Sequence, residues 1–354
     1  MSAAAPVPVP EAEPVPEPAP LPEPVPVPEL VPDDVVDALR RVLAPLGVPE
    51  RVEPLTGGMF ATTYRVTLAD GTRVVVKTAP TDTSRLLTYE RDLIRSEALV
   101  YRLAEVHPGL LMPRVLLTDF SREVLAGDVV VASHLPGTPW LEAGFGPPDD
   151  DPRAARTQRE LGALMARLHR VTGPTFGYVL PGSALRASTW PAAFTLMVEA
   201  LLDDAARWGT PVPADEVRAA LRRHAAALAL VHTPALVHAD LWPGNVFVEA
   251  ATGAVLGVID PERAFWGDPL FEVVGNDQLG LGPVPAALLA GYREAGGHLD
   301  PAAPDEAARL ALYRLYMSLV LVVEIAPRGY VGDWLPAHRS TAEANLRAVL
   351  ARMA

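Results

Sequence analysis

Val237-His238-Ala239-Asp240-Leu241-Trp242-Pro243-Gly244-Asn245-Val246 places a carboxylate and a carboxamide five residues apart, directly before a strand-like stretch. Val246–Glu249 and Val255–Ile259 read as short strands joined by a turn at Thr252-Gly253. A second carboxylate, Asp260, follows Asn245 by fifteen residues, at the end of the second strand. A hairpin of that length lets Asn245 and Asp260 converge at its open end. One amide oxygen plus one carboxylate is a sparse set of hard-oxygen ligands. It suits Mg²⁺, which keeps waters and takes its remaining ligands from nucleotide phosphates. Asp240, on the loop leading in, would face an incoming hydroxyl and accept or orient its proton. The plainer reading is an Asp-rich surface turn beside a buried His238 that hydrogen-bonds nearby backbone.

Upstream, the pattern is strand-rich. Asp33 is positioned to cap a short helix over 34–44, ended by Pro45 and Gly47. Arg51–Leu55, Thr62–Leu68 and Thr72–Thr78 read as strands, the last two flanking the hairpin signal Asp70-Gly71. A helix is expected from Ser84 to Glu105, then strands over Arg114–Phe120 and Asp128–His134. Lys77 ends the run Val74-Val75-Val76, where a lysine would reach nucleotide phosphates. Glu97 has Leu93, Ile94, Val100 and Tyr101 as its helical neighbours. A carboxylate on so apolar a face needs a cationic partner, and Lys77 is the natural one, with Glu90 the next candidate for Glu97's place. Gly57 and Gly58 lie between the first two strands, where a loop could cover phosphate, although no G-x-G-x-x-G is present.

Beyond residue 135 helices dominate: Gln158–Val171, Pro191–Trp208, Ala214–Val231, Pro285–Ala295 and Pro304–Ile325 all carry apolar residues at the helical period. The layout is α+β and bilobal. A five-stranded lobe with one long helix (33–134) precedes a mainly helical lobe (135–354) that carries the inserted hairpin.

The remaining composition narrows the field. The 354 residues contain no cysteine, which excludes disulfides, thiol catalysis and thiolate metal sites. Residues 1–32 hold 12 of the 38 prolines and five of the glutamates, with no lysine or arginine. Such a run favours extended polyproline II and reads as a disordered appendage, with docking of an aromatic-lined partner as its functional alternative. It lacks the basic start and apolar core of a secretion signal, so a cytoplasmic location is expected. The richest apolar run, Leu319–Val323, stops at Glu324, which argues against a membrane span. A net charge of −13 disfavours nucleic acid and is compatible with a cationic substrate.

The spacing H-x-D-x-x-x-x-N followed by Asp260 is that of a kinase catalytic loop and its metal-binding aspartate. With Val-Val-Val-Lys77, Leu-Gly-Ala-Leu-Met-Ala-Arg-Leu-His169 and Ile-Asp260-Pro-Glu-Arg-Ala-Phe-Trp-Gly-Asp268-Pro-Leu-Phe-Glu272, the chain resembles the aminoglycoside phosphotransferase and fructosamine kinase branch of the protein-kinase-like superfamily. The resemblance spans about residues 50–330. It implies an ATP- or GTP-dependent O-phosphotransferase using Mg²⁺, with Lys77 on phosphate, Asp240 as base, and Asn245 and Asp260 on the metal. It also implies nucleotide contacts at the lobe junction, Ser133 and Leu135, and scaffold roles for Asp268 and His169. Asp260 is followed by Pro261-Glu262, and Gly267-Asp268-Pro269 comes within eight residues. That leaves no room for a peptide-binding activation segment, so a small hydroxylated molecule is the expected acceptor.

Acceptor contacts belong to the helical lobe. Glu324 is the sharpest candidate, a carboxylate on an apolar helix face that either anchors a substrate ammonium or pairs with Arg328 or another arginine. Asp277, Glu272 and Trp266 are further candidates. An amine-bearing antibiotic or other natural product and a sugar adduct of an amine both fit as acceptor. An inactive kinase-like binding protein is the rival from outside enzymology.

Overall fold

The computed structural model describes residues 31–55 and 60–354. Gly57 and Gly58, and the proline-rich segment through residue 30, lie outside the described residues.

Helix α1 (Asp33–Leu43) leads into an antiparallel sheet of β1 (Pro49–Leu55), β2 (Thr62–Leu68), β3 (Arg73–Thr78), β4 (Val115–Asp119) and β5 (Val129–Ser133), in the order β1-β2-β3-β5-β4. Asp33 stands in the first turn of α1 rather than capping it, and Pro32 occupies the cap position. Alternation decides what each strand shows to each face. Val74, Val76, Val129 and Val131 pack with Leu39 and Leu43 of α1 on one side. Lys77, opposite Val130 in the β3–β5 register, belongs to the other side, where Val130 packs on Ile94 and Ala98.

That second face is covered by α2 (Leu93–Val106). The helix expected from Ser84 is therefore shorter. Thr88–Glu90 is a 3₁₀ turn, and Asp92 breaks the path with φ of 61°. One tertiary bond and one local cap override helical propensity here. The Thr88 backbone N–H donates to the Asp204 carboxylate at 2.6 Å, and the Leu87 N–H donates to the Glu90 carboxylate at 2.9 Å. Leu87 and Tyr89 are buried in the core of the helical lobe.

The second lobe is built from α3 (Pro152–Leu168), α4 (Trp190–Arg207), α5 (Ala214–Arg223), α6 (Ala225–Leu228), α7 (Phe271–Asn276), α8 (Ala286–Glu294), α9 (Pro304–Val323), α10 (Ile325–Arg328) and α11 (Leu335–Met353). The helix expected over 214–231 is interrupted at His224, and the one over 304–325 ends at Val323. Helix α11 was not anticipated; its apolar positions are diluted by polar ones along its length. Short strands β6 (Thr138–Pro139), β10 (Val246–Glu249) and β11 (Ala254–Val258) form one sheet. Strands β7 (Phe176–Tyr178), β8 (Arg186–Ala187), β9 (Ala235–Val237) and β12 (Phe265–Gly267) form another. By length and composition the helical stretch Pro304–Arg328 could cross a membrane, but 83% of its most apolar window is buried inside this fold. It is the central core helix, with Tyr313 and Leu319 fully enclosed.

Candidate active site

The β10–β11 hairpin forms as its sequence implies, with Val246 opposite Val258. The Ile259 N–H donates to the Asn245 carbonyl at 3.0 Å, so Asn245 and Asp260 flank the same open end. Asn245 donates its Nδ2 to the Asp240 carbonyl at 2.9 Å, which leaves its Oδ1 for a cation. Gly244 is required by its neighbour, because a Cβ there would lie 2.3 Å from the Trp242 ring.

Lys77 brings the two lobes together. Its ammonium donates to Glu97 at 2.8 Å, Asp260 at 2.5 Å and Glu262 at 3.1 Å. Burial opposes the charge, but attraction from the three carboxylates outweighs it and holds the Lys77 pKa well above the ordinary lysine value. Burial pushes Glu97 up and, with repulsion from Asp260, takes Glu262 to about 8. Asp260 is held below its usual range, since Lys77 overcomes the effect of burial. The Asp260 N–H donates to the Tyr101 hydroxyl at 3.1 Å, which ties the hairpin end to α2. Glu262 was missed in the sequence; the i+2 spacing from Asp260 was the available signal.

Asp240 sits on a strained loop. Ala239, just before it, has φ of 67°, a left-handed conformation uncommon outside glycine. The buried Glu272 carboxylate holds that geometry, accepting from the His238 N–H at 2.7 Å and the Ala239 N–H at 2.9 Å. A Cβ on Gly275 would meet the Ala239 backbone at 2.7 Å, so α7 lies directly on the loop. Asn276 donates to the Leu241 carbonyl at 2.9 Å, and Gln278 donates to Asp240 Oδ1 at 2.5 Å. Burial pushes the Asp240 carboxyl up to about 6, against the pull of Arg263. His238 is fully buried and burial lowers its pKa. Among the described residues neither ring nitrogen has a partner at full hydrogen-bond geometry.

Three acceptor candidates take other roles. Glu272 is fully buried beneath the loop, where the loop's own N–H groups use both its oxygens. Trp266 is 6% exposed, in a core cluster with Leu168 and Leu236. Glu324 is 2% exposed and pairs with Arg263 at 3.1 Å and Arg328 at 3.5 Å, the alternative raised for it. A carboxylate so enclosed and paired is not free to meet an ammonium. Asp277 alone of the set is exposed, just past α7. Ser133 ends β5 with its hydroxyl accepting from the Arg114 N–H at 2.9 Å, and Leu135 packs against Gly257 of β11. Asp268 accepts from Arg309 and Tyr313, each at 2.7 Å, and His169 meets the Tyr292 hydroxyl at 2.9 Å; both are buried scaffold.

A strand lysine paired with a helix glutamate, facing a loop aspartate and a hairpin-end aspartate across two lobes, defines a protein-kinase-like phosphotransferase. The chain belongs to the phosphotransferase enzyme family, whose model matches residues 51–312, and it is a small-molecule kinase. A probable ketoamine kinase of Enterococcus faecium is 23% identical over 296 residues, covering 79% of this chain and 92% of that protein. The structure of a candidate fructosamine-3-kinase from Thermobifida fusca is 25% identical, with a TM-score of 0.59 over 87% of this chain and 97% of that one. A thermostable mutant of aminoglycoside phosphotransferase APH(4)-Ia shares the fold at 18% identity and TM-score 0.58, covering 90% of this chain and 99% of that one. Variants of that mutant have been solved in ternary complexes with hygromycin B and either ADP or AMP-PNP.

Proposed function

We propose that the chain transfers the γ-phosphoryl group of ATP or GTP to a hydroxyl of an amine-bearing small molecule, foremost an aminoglycoside or another antibiotic-like natural product. The observation that carries this reading is the Lys77–Asp260 contact across the lobes, beside an Asp240 whose Oδ2 accepts no protein donor among the described residues. The donor set fits Mg²⁺: Asn245 Oδ1 and the low-pKa Asp260 would hold it, and the ion would neutralise charge on the β- and γ-phosphates. Lys77 binds phosphate while Glu97 and Glu262 keep it oriented. Asp240 orients the acceptor hydroxyl and takes its proton. The acceptor oxygen bonds to the γ-phosphorus as the bond from that phosphorus to the β–γ bridging oxygen breaks, and the nucleoside diphosphate leaves. Asp277, the exposed acidic residue of the candidate set, is the group we assign to a substrate amine.

A second reading, phosphorylation of a ketoamine, is favoured by Leu241-Trp242-Pro243-Gly244-Asn245 and by the two ketosamine-type relatives at 23% and 25% identity. Incubation with MgATP and a panel of aminoglycosides, peptide antibiotics, nucleosides and fructosyl-amines, read by mass spectrometry, separates the two. A phosphorylated aminoglycoside supports the first reading, and a phosphorylated fructosyl-amine the second. No phosphorylated product from the panel would place the acceptor outside both classes.

A further inference from the structure

Helix α7 grips the catalytic loop at several points. Glu272 holds the N–H groups of His238 and Ala239, Gly275 abuts the Ala239 backbone, and Asn276 holds the Leu241 carbonyl. These contacts place the main chain of the loop but not the Asp240 carboxylate, whose terminal torsion is soft and roughly two-fold. Among the described residues a single side chain donates to that carboxylate: Gln278 Nε2, 2.5 Å from Oδ1. Gln278 lies two residues past the end of α7, on chain anchored to the same loop, so its amide stands at a fixed offset from Asp240. As a neutral amide it fixes the carboxylate without setting a positive charge beside it to compete with the acceptor.

The geometry points to Gln278 as the positioning residue of this site: it occupies Oδ1 of Asp240 and thereby turns Oδ2 to the acceptor hydroxyl. This inference rests on the reading of Asp240 as the proton acceptor. Sequence periodicity carries no trace of it, because Gln278 falls in a polar stretch after a six-residue helix.

The test uses the full chain, MgATP, and hygromycin B and fructosyl-lysine as acceptor probes. Gln278→Met keeps the side-chain length and removes the donor. It should lower kcat ten- to a hundredfold while KM for MgATP stays within twofold and the melting temperature is kept. Gln278→Glu, which sets a carboxylate against Asp240, should lower kcat at least as far. A kcat within twofold of wild type in Gln278→Met, with Asp240→Ala inactive, would overturn the inference and leave the reading of Asp240 standing. Turnover retained by Asp240→Ala would overturn that reading itself. A fall in kcat matched by loss of MgATP affinity and of melting temperature would make Gln278 a fold residue and also overturn the inference. A crystal structure of Gln278→Met needs no acceptor: the Asp240 carboxylate should be rotated or split between two conformers, and an unmoved single conformer would count against the proposal.

Discussion

The Lys77 ammonium lies 2.5 Å from Asp260 Oδ1, a contact between a strand of the first lobe and the hairpin end of the second. It gathers the carboxylates of Glu97, Asp260 and Glu262 to within 4.8 Å of one another around one buried cation. Removing one partner of a buried ionic group leaves the rest uncompensated, at about 3–5 kcal/mol. Lys77→Met should therefore destabilise the fold by that order at pH 8. With the cation gone, the native carboxylates bind protons more readily than the unfolded chain, so the deficit should shrink as pH falls. Thermal melts at pH 8 and pH 5 check this; a deficit that is constant or grows on acidification would reject the shared role of Lys77.

Asp260 and Asn245 should carry the metal dependence of nucleotide binding. In calorimetry, ATP affinity of the wild type should rise on adding Mg²⁺, and Asp260→Ala should abolish that rise. An Asp260→Ala variant that keeps the full Mg²⁺ enhancement would place the ion elsewhere.

Asp240 is pushed up to about 6 by burial. As a base it acts ionised, so kcat/KM should climb with pH and level off above about 6. The stability sign is opposite. The native carboxyl takes up its proton before the unfolded one does between pH 6 and about 4, so ionised Asp240 destabilises the fold at neutral pH. Asp240→Asn should be inactive yet more stable by about 1–3 kcal/mol at pH 8, with the gain fading as pH falls to 4. A variant no more stable than wild type at pH 8 would show that the loop does not confine the charge.

The juxtaposition of the loop with Asn245 and Asp260, the residues proposed for the metal, was legible because they are close in sequence. Asn245 and Asp260 flank the open end of one hairpin, whose length fixes their convergence, and Asp240 lies on the loop that leads into it. Lys77 was legible from its place at the end of a valine run and from the need of Glu97, on an apolar helix face, for a cationic partner. Glu262 and Gln278 were not, because each acts on a residue brought near only by tertiary packing, across 185 and 38 positions. The same holds for the acceptor candidates. An acidic residue on an apolar helix face reads alike whether it lines a cleft or pairs in the core, and Glu324 became a core pair because Arg263 reaches it from beyond the hairpin. The break in the helix over 84–105 has its cause in Asp204, more than a hundred residues downstream.

Glu272 should prove as necessary to turnover as groups nearer the phosphate. Its carboxylate accepts from two buried N–H groups, those of His238 and Ala239, of which Ala239 is held at φ of 67°. Glu272→Gln keeps the shape but turns a donor toward one of those N–H groups. An unmatched buried donor is worth about 1–3 kcal/mol, more where a charge was its partner. The variant should lose stability on that scale and most of its kcat. A melting temperature and kcat close to wild type would show that the loop keeps its strained geometry without this carboxylate.

Arg328 pairs with Glu90 from the segment before α2 and stands 3.5 Å from Glu324, so it latches the first lobe's connecting turn onto the core of the second. Both carboxylates are almost fully enclosed, at 1% and 2% exposure. Arg328→Met should cost about 3–5 kcal/mol, because it strands the buried Glu90 carboxylate and leaves Glu324 to Arg263 alone. Glu90→Gln should be milder, since Arg328 keeps Glu324. Adding Glu90→Gln to Arg328→Met should recover part of the loss, because one stranded charge is then removed. A double-mutant cycle in urea measures that coupling, expected at about 1–3 kcal/mol. Strict additivity of the two substitutions would mean that the turn is seated by Leu87 and Tyr89 packing alone and that the ion pair merely decorates the joint.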